Sequence, residues 1–592
     1  MIAARRVGGL AYLEMIKEME RDLTKVIEDF NRAVDVEALS LAKKSGRRSL
    51  SQSRDTSFSV VHIEQKVLLK RLKCVGTGYN RTLCCMEGTR ESLLHHIKAW
   101  VTNGSGEKDT GNTYWIYGIP GIGKTSLAHS ICASLHDEKH LAGSFFCRRD
   151  DPNLGEPRNI LPTLIYKLAE IFPPFRTIVA ERLRSDANLT PESMRDTLFQ
   201  DFIRNLPRHP QRALVFVIDA LDECGDDQSR RLLLKSLTDA AANAPWLKLI
   251  ITSRPEVDIQ HFFDTPARSS HLRYDLAADE SATSDLRIFT QERFRRLASM
   301  RHLPSPWPES SLFEGVISRA AGLFIFIKTV ALVLEKCEDP TESLKATLRD
   351  SDDTGLISPY GLYSSILKTR ITHSSAKFQR MIGVLLTTAP YRPLCEETIA
   401  KLASVDLSHV KTWVDGLSSL LYRDEAANGA IRVRHLSISE FFFSDGCPCD
   451  YQVNLQDANV QLGISCLKTM IRQLRFNVCK LEDSRLANVD VHDLQSRIKE
   501  NISDPLQYSS RYWSNHLCST PDNGNRDLSG ELKEFFEGLY PLFWIEVLSV
   551  MGMVPIGAPS LRRVISWIKV SGTPASRWFA FTLVAGCRFD AS

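Results

Sequence analysis

Tyr114-Trp115-Ile116-Tyr117-Gly118-Ile119-Pro120-Gly121-Ile122-Gly123-Lys124-Thr125-Ser126-Leu127-Ala128 decides the fold. It holds the spacing Gly-x-x-x-x-Gly-Lys-Thr, after a strand-like run and before a helical one. That order is the one a phosphate-cradling loop needs. The glycines let the backbone curl so that successive amides point at phosphate oxygens. A helix starting near Lys124 adds its positive dipole end. Lys124 is expected to reach the β- and γ-phosphates and Thr125 to ligate Mg²⁺. The candidate nucleotide-binding set in this stretch is Gly118, Gly121, Ile122, Gly123, Lys124, Thr125 and Ser126. By composition alone the pattern arises in roughly one chain of this length in fifty, so its flanking strand and helix make accident a poor explanation.

Two later runs complete the reading. Ala213-Leu214-Val215-Phe216-Val217-Ile218-Asp219 is a buried-strand pattern ending in a carboxylate. An Asp at that end of a neighbouring strand completes a Mg²⁺ site with Thr125. An apolar run ending in Asp often serves structure alone, but beside a phosphate loop Asp219 reads as functional. Asp222 and Glu223 follow at once, and one of them is expected to polarise an attacking water. Leu247 to Pro255 is another strand, ending in Thr252-Ser253-Arg254-Pro255. Arg254 is placed either to stabilise γ-phosphate charge or to make a surface salt bridge. The first reading is favoured because phosphate sites select Arg for bidentate contact.

Working outward, short β-rich runs alternate with helical ones from 113 to about 276: Thr113–Tyr117, Gly143–Cys147, Ala213–Ile218, Leu247–Thr252 and Leu272–Leu276. Such alternation predicts a parallel sheet covered by helices. Beyond 280 the chain reads mostly helical, with one late strand at Ala430–Arg434. Residues 10–44 carry apolar positions every three or four residues and predict a helix. Residues 45–57 are a polar, basic linker, and 58–102 a second helical stretch ending near Trp100, before the break at Asn103-Gly104-Ser105-Gly106. Lys43-Lys44 and Arg47-Arg48 read as solvated linker charges rather than an import signal.

The 592 residues are 43% apolar and 24% charged, with 74 basic against 71 acidic side chains. That balance excludes a disordered or collagenous chain and demands neither nucleic acid nor an anionic membrane as partner. The 14 cysteines include no Cys-x-x-Cys, which argues for free thiols in a reducing compartment. The longest C-terminal apolar stretch, Leu539 to Leu561, is cut by Glu546 and three prolines, so no transmembrane segment and a cytoplasmic location are expected.

The loop Gly118–Thr125, the acidic box Asp219-Ala220-Leu221-Asp222-Glu223 and Thr252-Ser253-Arg254-Pro255 together resemble a NACHT domain. That is a branch of the signal-transduction (STAND) NTPases which includes NOD-like receptors and fungal incompatibility proteins. Gly143–Asp150, Arg158–Leu164 and Cys84–Arg90 are similar to segments of fungal members, also catalogued as nephrocystin-like N-terminal domains. Tyr360–Leu367 resembles the start of a winged helix, and Val433-Arg434-His435-Leu436-Ser437 its His-x-Ser segment. Leu506–Leu517 and Leu542–Ser549 resemble the helical region of mushroom-type members. The resemblance implies that His435 contacts the β-phosphate of bound diphosphate and holds a closed state. A lone His beside an apolar strand otherwise reads as a core residue. Relatives usually carry a C-terminal repeat array. No repeat of 20–50 residues occurs here, and no death-fold, lipase-like or pore-forming effector is recognisable. A Gly-x-Pro motif is not evident at Gly322-Leu323-Phe324, which leaves the base contact unassigned.

The expected fold is thus an α/β P-loop NTPase core, a parallel sheet with helices on both faces, followed by mainly α-helical and winged-helix domains. The divisions are 1–57, helix and linker; 58–110, leading helices; 111–280, core; 281–350, helical lid; 351–447, winged helix; 448–592, helical tail. The expected function is a switch that binds ATP/ADP, or GTP, with Mg²⁺. Slow hydrolysis, with Asp222, Glu223 and Arg254 as catalytic residues, would control self-oligomerisation or recruitment of a protein partner. A turnover motor and a non-hydrolysing scaffold are the rivals, separable by steady-state rate.

Overall fold

The run ahead of the glycine loop is β1, Thr113–Tyr117, and the loop passes into helix α1, Lys124–Asp137. Three further strands, β2 (Leu141–Phe146), β3 (Leu214–Asp219) and β4 (Leu247–Ser253), lie with β5 (Leu272–Asp275) in one sheet ordered β2-β3-β4-β1-β5. Every pairing is parallel. The strand bounds fall within two residues of the sequence expectation at every end. This computed structural model describes residues 64–72, 74–76, 78–102, 111–185, 199–206, 209–265, 271–349, 359–371, 376–482, 488–519 and 526–571. The expected helix at 10–44, the linker with its basic pairs and the break at 103–106 lie outside the described residues.

Period-two alternation divides each strand between two cores. Tyr114, Ile116, Val215, Val217 and Ile250 face α1 and the helix Glu91–Thr102. Trp115, Phe216, Ile218, Leu249 and Ile251 face the helices Ile160–Ile171 and Asp227–Asn243 on the other side. With both faces covered, β3 and β4 are buried along their whole length, which is why they read as unbroken apolar runs.

The stretch 58–102 is not one helix. After 64–69 and a 3₁₀ turn at Lys70–Leu72, the chain is irregular apart from the short turn Arg81–Leu83, and the α-helix resumes only at Glu91. Asn80 caps that turn through its side chain, and Gly88 and Arg90 take positive φ, interrupting the helical path.

After β5 come four lid helices, among them α2, Ala282–Arg301, and α3, Phe324–Lys336. Helices from Tyr360 to Gly416 then lead to β6, Leu421–Asp424, paired antiparallel with β7, Ala430–Val433. Helix α4, Leu436–Phe443, follows directly. The expected late strand is present; its partner β6 was not foreseen. The remainder is helical, built on α5 (Leu455–Gln473), α6 (Asp504–Cys518) and α7 (Tyr540–Val550). The backbones of α5 and α6 lie close at Gly463, where a Cβ would be in ordinary contact with the Leu517 nitrogen at 3.4 Å. One continuous apolar core runs from Leu286 to Val564. The described cysteines are all free. No helix among the described residues is long and apolar enough to cross a membrane.

Candidate nucleotide site

Register brings the three motifs to one edge. Tyr117 pairs with Ser253, and Ile218 pairs with Ile251, so β1, β3 and β4 end side by side. Ligands of open parallel sheets bind outside this carboxyl edge. β4 lies between the loop strand and the acidic strand, which sets Thr252, Ser253 and Arg254 between the two motifs.

The loop is curled on its own lysine. Lys124 Nζ donates to the carbonyls of Gly118 (2.7 Å) and Ile119 (3.1 Å). Gly121 (φ +83°) and Gly123 (φ +102°) occupy left-handed backbone that disfavours a side chain. No side chain caps α1, which leaves its first amides available to an anion. Lys124 is buried, and that burial lowers its pKa against the pull of Asp222. The Ile122 side chain is packed in the core, so only its backbone can serve a ligand. No contact of the Ser126 hydroxyl joins it to the other site residues.

Asp219 ends β3 fully buried. It accepts a hydrogen bond from the Thr252 hydroxyl, and the Thr125 hydroxyl acts on the same carboxyl, lowering its pKa. Burial pushes its pKa up to about 6 despite those bonds and the nearby Lys124. Thr125 and Asp219 are hard oxygen donors of the kind Mg²⁺ takes alongside phosphates and water. A carboxylate short of compensating charge, beside a lysine and free helix amides, fits a nucleotide–Mg²⁺ pair.

The acidic box then separates its two acids. Ala220 turns through φ +53° into a 3₁₀ turn, Leu221–Glu223. Asp222 is buried and committed: it accepts from the Arg254 amide (2.9 Å) and pairs with Arg254 Nε (3.2 Å). Glu223 accepts only a long bond from the Arg149 amide, 3.4 Å. Burial first, then the Asp222 charge, pushes its pKa up to about 7.

Arg254 also reaches out of the core. Its Nη1 lies 2.6 Å from Glu440 Oε1 on α4, so one guanidinium links the acidic box to the winged helix. A second tie runs from Arg432 on β7 to Asp150, at 3.2 Å, beyond the end of β2. His435 caps α4, and its Nδ1 accepts from the Ser437 amide (3.2 Å). The neutral ring therefore carries its proton on Nε2. Burial, then Arg254, Lys124 and Lys328, press its pKa down to about 3. His435 thus stands within the electrostatic reach of the phosphate-loop lysine although 311 residues separate them in the chain.

Three positions that contact the site escaped the sequence reading. Glu440 is one. Arg90 is another: its Nη2 donates to the Ile122 carbonyl (3.2 Å) and its Nη1 to Asp279 (2.6 Å), tying the loop to the start of the lid. The third is the start of α3, where the Ile325 amide donates to the Gly121 carbonyl (3.2 Å). A Cβ on Gly121 would lie 2.2 Å from Ile325 Cγ2, so this glycine serves lid packing as well as phosphate access. An arginine inside an otherwise neutral Gly-Thr-Arg turn was the only available signal for Arg90.

This edge, in this strand order, defines a P-loop NTPase fold. Residues 88–254 match the family described as Nephrocystin 3, N-terminal, a span that holds the loop, the acidic box and Arg254 but not His435. Among solved structures the chain is similar to a Walker-type ATPase of Pyrococcus abyssi, with 13% identity over 62% of this chain and 99% of that one, at a TM-score of 0.29. It is also similar to Drosophila ORC bound to DNA, with 14% identity, coverage of 67% and 93%, and a TM-score of 0.29. Domain III of the Thermotoga maritima replication initiation protein DnaA gives 12% identity, coverage of 45% and 97%, and a TM-score of 0.25. No curated protein matches the chain.

Proposed function

We infer that the chain is a nucleotide-gated switch of the NACHT type. In this reading it binds ATP or GTP with Mg²⁺, hydrolyses it slowly and controls oligomerisation or partner recruitment, as in fungal incompatibility signalling. The observation that carries the reading is Arg254, shared between Asp222 of the core and Glu440 of the winged helix. A γ-phosphate would compete for that guanidinium, so occupancy of the site and attachment of the winged helix are set against each other.

The residues divide the work as follows. Lys124 and the first amides of α1 hold the phosphates, and Thr125 and Asp219 hold Mg²⁺, which would supply charge neutralisation. His435 donates its Nε2–H to the β-phosphate and keeps the winged helix down. Glu223, close to neutrality in pKa, takes the proton of the attacking water, while Asp222 steadies Arg254. In the triphosphate state Arg254 leaves Glu440, and the winged helix is freed. The shift is limited by the difference in affinity of the two states for the γ-phosphate and metal.

Denaturing the purified protein and separating what it releases tests the reading: retained nucleoside diphosphate is expected. Turnover above about one per second would favour a motor instead, and no turnover with Mg²⁺ a scaffold. His435→Ala and Glu440→Gln should both speed diphosphate release and raise spontaneous oligomerisation. Unchanged release in both would end the lock assignment.

A further inference from the structure

Two buried hydroxyls stand behind the His435 ring and have no role so far. Tyr363 lies on the helix Tyr360–Arg370, and Ser437 in the first turn of α4, 74 residues further on. Both side chains are buried. Tyr363 Oη is 2.9 Å from Ser437 Oγ, and Ser437 Oγ is 2.7 Å from His435 Nδ1. The Tyr363 ring is set edge-on against Phe441 of α4 (5.5 Å), which fixes where its hydroxyl points.

These contacts have one consistent polarity. Nδ1 accepts from the Ser437 amide at 3.2 Å, so it carries no proton. The Ser437 hydroxyl, at 2.7 Å, must then donate to the same nitrogen, because two lone pairs at that distance would repel. Ser437 Oγ is left as an acceptor, and the Tyr363 hydroxyl supplies its proton. Burial pushes the Tyr363 pKa up to about 12, so that proton is present throughout the neutral range. Donation thus runs from Tyr363 to Ser437 to His435, and the ring keeps its single proton on Nε2. Among the described residues no hydrogen bond engages Nε2. Ser, Thr, Asp and Asn are the preferred residues at such a helix cap. Any of them would satisfy the Ser437 amide, but none would leave a second, opposite donor. Imidazole caps with one nitrogen and presents the other, and the bond made by the first decides what the second can do. Buried hydroxyls in series are costly to leave unpaired and give rigid support once paired.

We propose that Tyr363 and Ser437 are positioning residues, whose hydroxyls in series hold the His435 ring in place as an Nε2–H donor. The use of that donor on the β-phosphate of a bound nucleoside diphosphate rests on the switch reading above. Neither hydroxyl touches the nucleotide; both act through the ring.

A double-mutant cycle on the full chain tests this with Tyr363→Phe, Ser437→Ala and His435→Ala, and with each of the first two combined with the third. Tyr363→Phe keeps the ring and its packing on Phe441, so it remains informative if Ser437→Ala folds poorly. Two quantities are read: the release rates of ADP and GDP, and the nitrogen-NMR signal of His435 Nδ1 in nucleotide-free protein, assigned by its loss in His435→Ala. Ser437→Ala should speed diphosphate release about fivefold and Tyr363→Phe about twofold. Neither should add anything once His435 is alanine. The Nδ1 signal should move toward that of an unbonded ring nitrogen in Ser437→Ala, and less far in Tyr363→Phe. Equal acceleration with and without the His435 ring would mean that the hydroxyls act on α4 itself, and would overturn the proposal. An unmoved Nδ1 signal in Ser437→Ala would overturn it as well. If His435→Ala speeds release while Ser437→Ala and Tyr363→Phe behave as wild type, the switch reading stands and the positioning role is lost. If the protein holds neither diphosphate, or His435→Ala releases them at the wild-type rate, the phosphate contact falls and the Nδ1 signal alone decides whether the hydroxyls hold the ring.

Discussion

The α/β core and the helical half build neighbours by different means. In the core, Asp219 and Thr252 sit at the ends of strands whose register places them together, and Lys124 opens the helix that follows β1. Each motif is local, and the sheet supplies the rest. In the helical half, His435 and Glu440 share α4, and that helix is held in place by one core that packs from Leu286 to Val564. The core therefore carries the chemistry that motifs announce. The helical half carries the groups that would couple that chemistry to movement.

The strongest way to break this division is Lys124→Ala. The loop loses its buried cation, and triphosphate binding should fall beyond calorimetric detection while the helical half keeps its stability. Retained affinity would mean that the loop does not hold the ligand. Trp544→Ala is the reverse experiment. Trp544 is fully buried, edge-on to Trp513 (5.7 Å), and donates to the Ser510 carbonyl (2.8 Å). Its loss should cost about 3–5 kcal/mol in urea unfolding, with amide exchange rising in α6 and α7 before it rises in β3. Simultaneous exposure of both regions would show that they unfold as one unit.

Gly121→Ala strikes the joint between them. The new Cβ would meet Ile325 at 2.2 Å, at a φ of +83°. A loss of about 1–3 kcal/mol is expected, together with weaker nucleotide binding; an unchanged variant would mean that α3 does not rest on the loop. The smallest effect is pH. Asp219 and Glu223 have raised pKa values, about 6 and about 7, so the native site favours their protonated forms. Their contribution to stability grows as pH falls from 7 toward 4. His129, pressed to about 4 in the core, offsets part of that gain. His516 is the opposite case in the helical half. Buried between Tyr508 (2.7 Å) and Asn459 (3.0 Å), it is held down to about 3 by desolvation. Its contribution is intact above 6.5 and is lost as pH falls from 6.5 toward 3, by at most about 1.4 kcal/mol per unit. Amide protection at pH 5 against pH 7 should drop in α5 and α6 more than in β3. Equal change in both regions would contradict the assignment.

Legibility followed the same line. The five strands were readable because buried parallel strands are unbroken apolar runs bounded by polar residues. The stretch 58–102 was misread because its apolar positions still recur every few residues. The interruptions are a capping Asn80 and positive φ at Gly88 and Arg90, which periodicity does not register. β6 is four residues long and half exposed, too short to stand out without its partner. Asp222 and Glu223 were interchangeable in sequence. Only the pairing of Asp222 with Arg254 separates them.

The sequence by itself determined the glycine-rich loop and the sheet, and marked Lys124, Thr125, Asp219 and Arg254 as candidates. These depend on local chemistry: glycine's conformational freedom, a helix start and strands that end in polar residues. Tertiary structure alone decided which groups those residues face. Arg254 turns to Glu440 of the winged helix, and Gly121 lies under Ile325. Arg254 and Glu440 are 186 residues apart in the chain. No spacing rule encodes such contacts, because they arise from how helices pack into one core and not from the residues beside them in the chain.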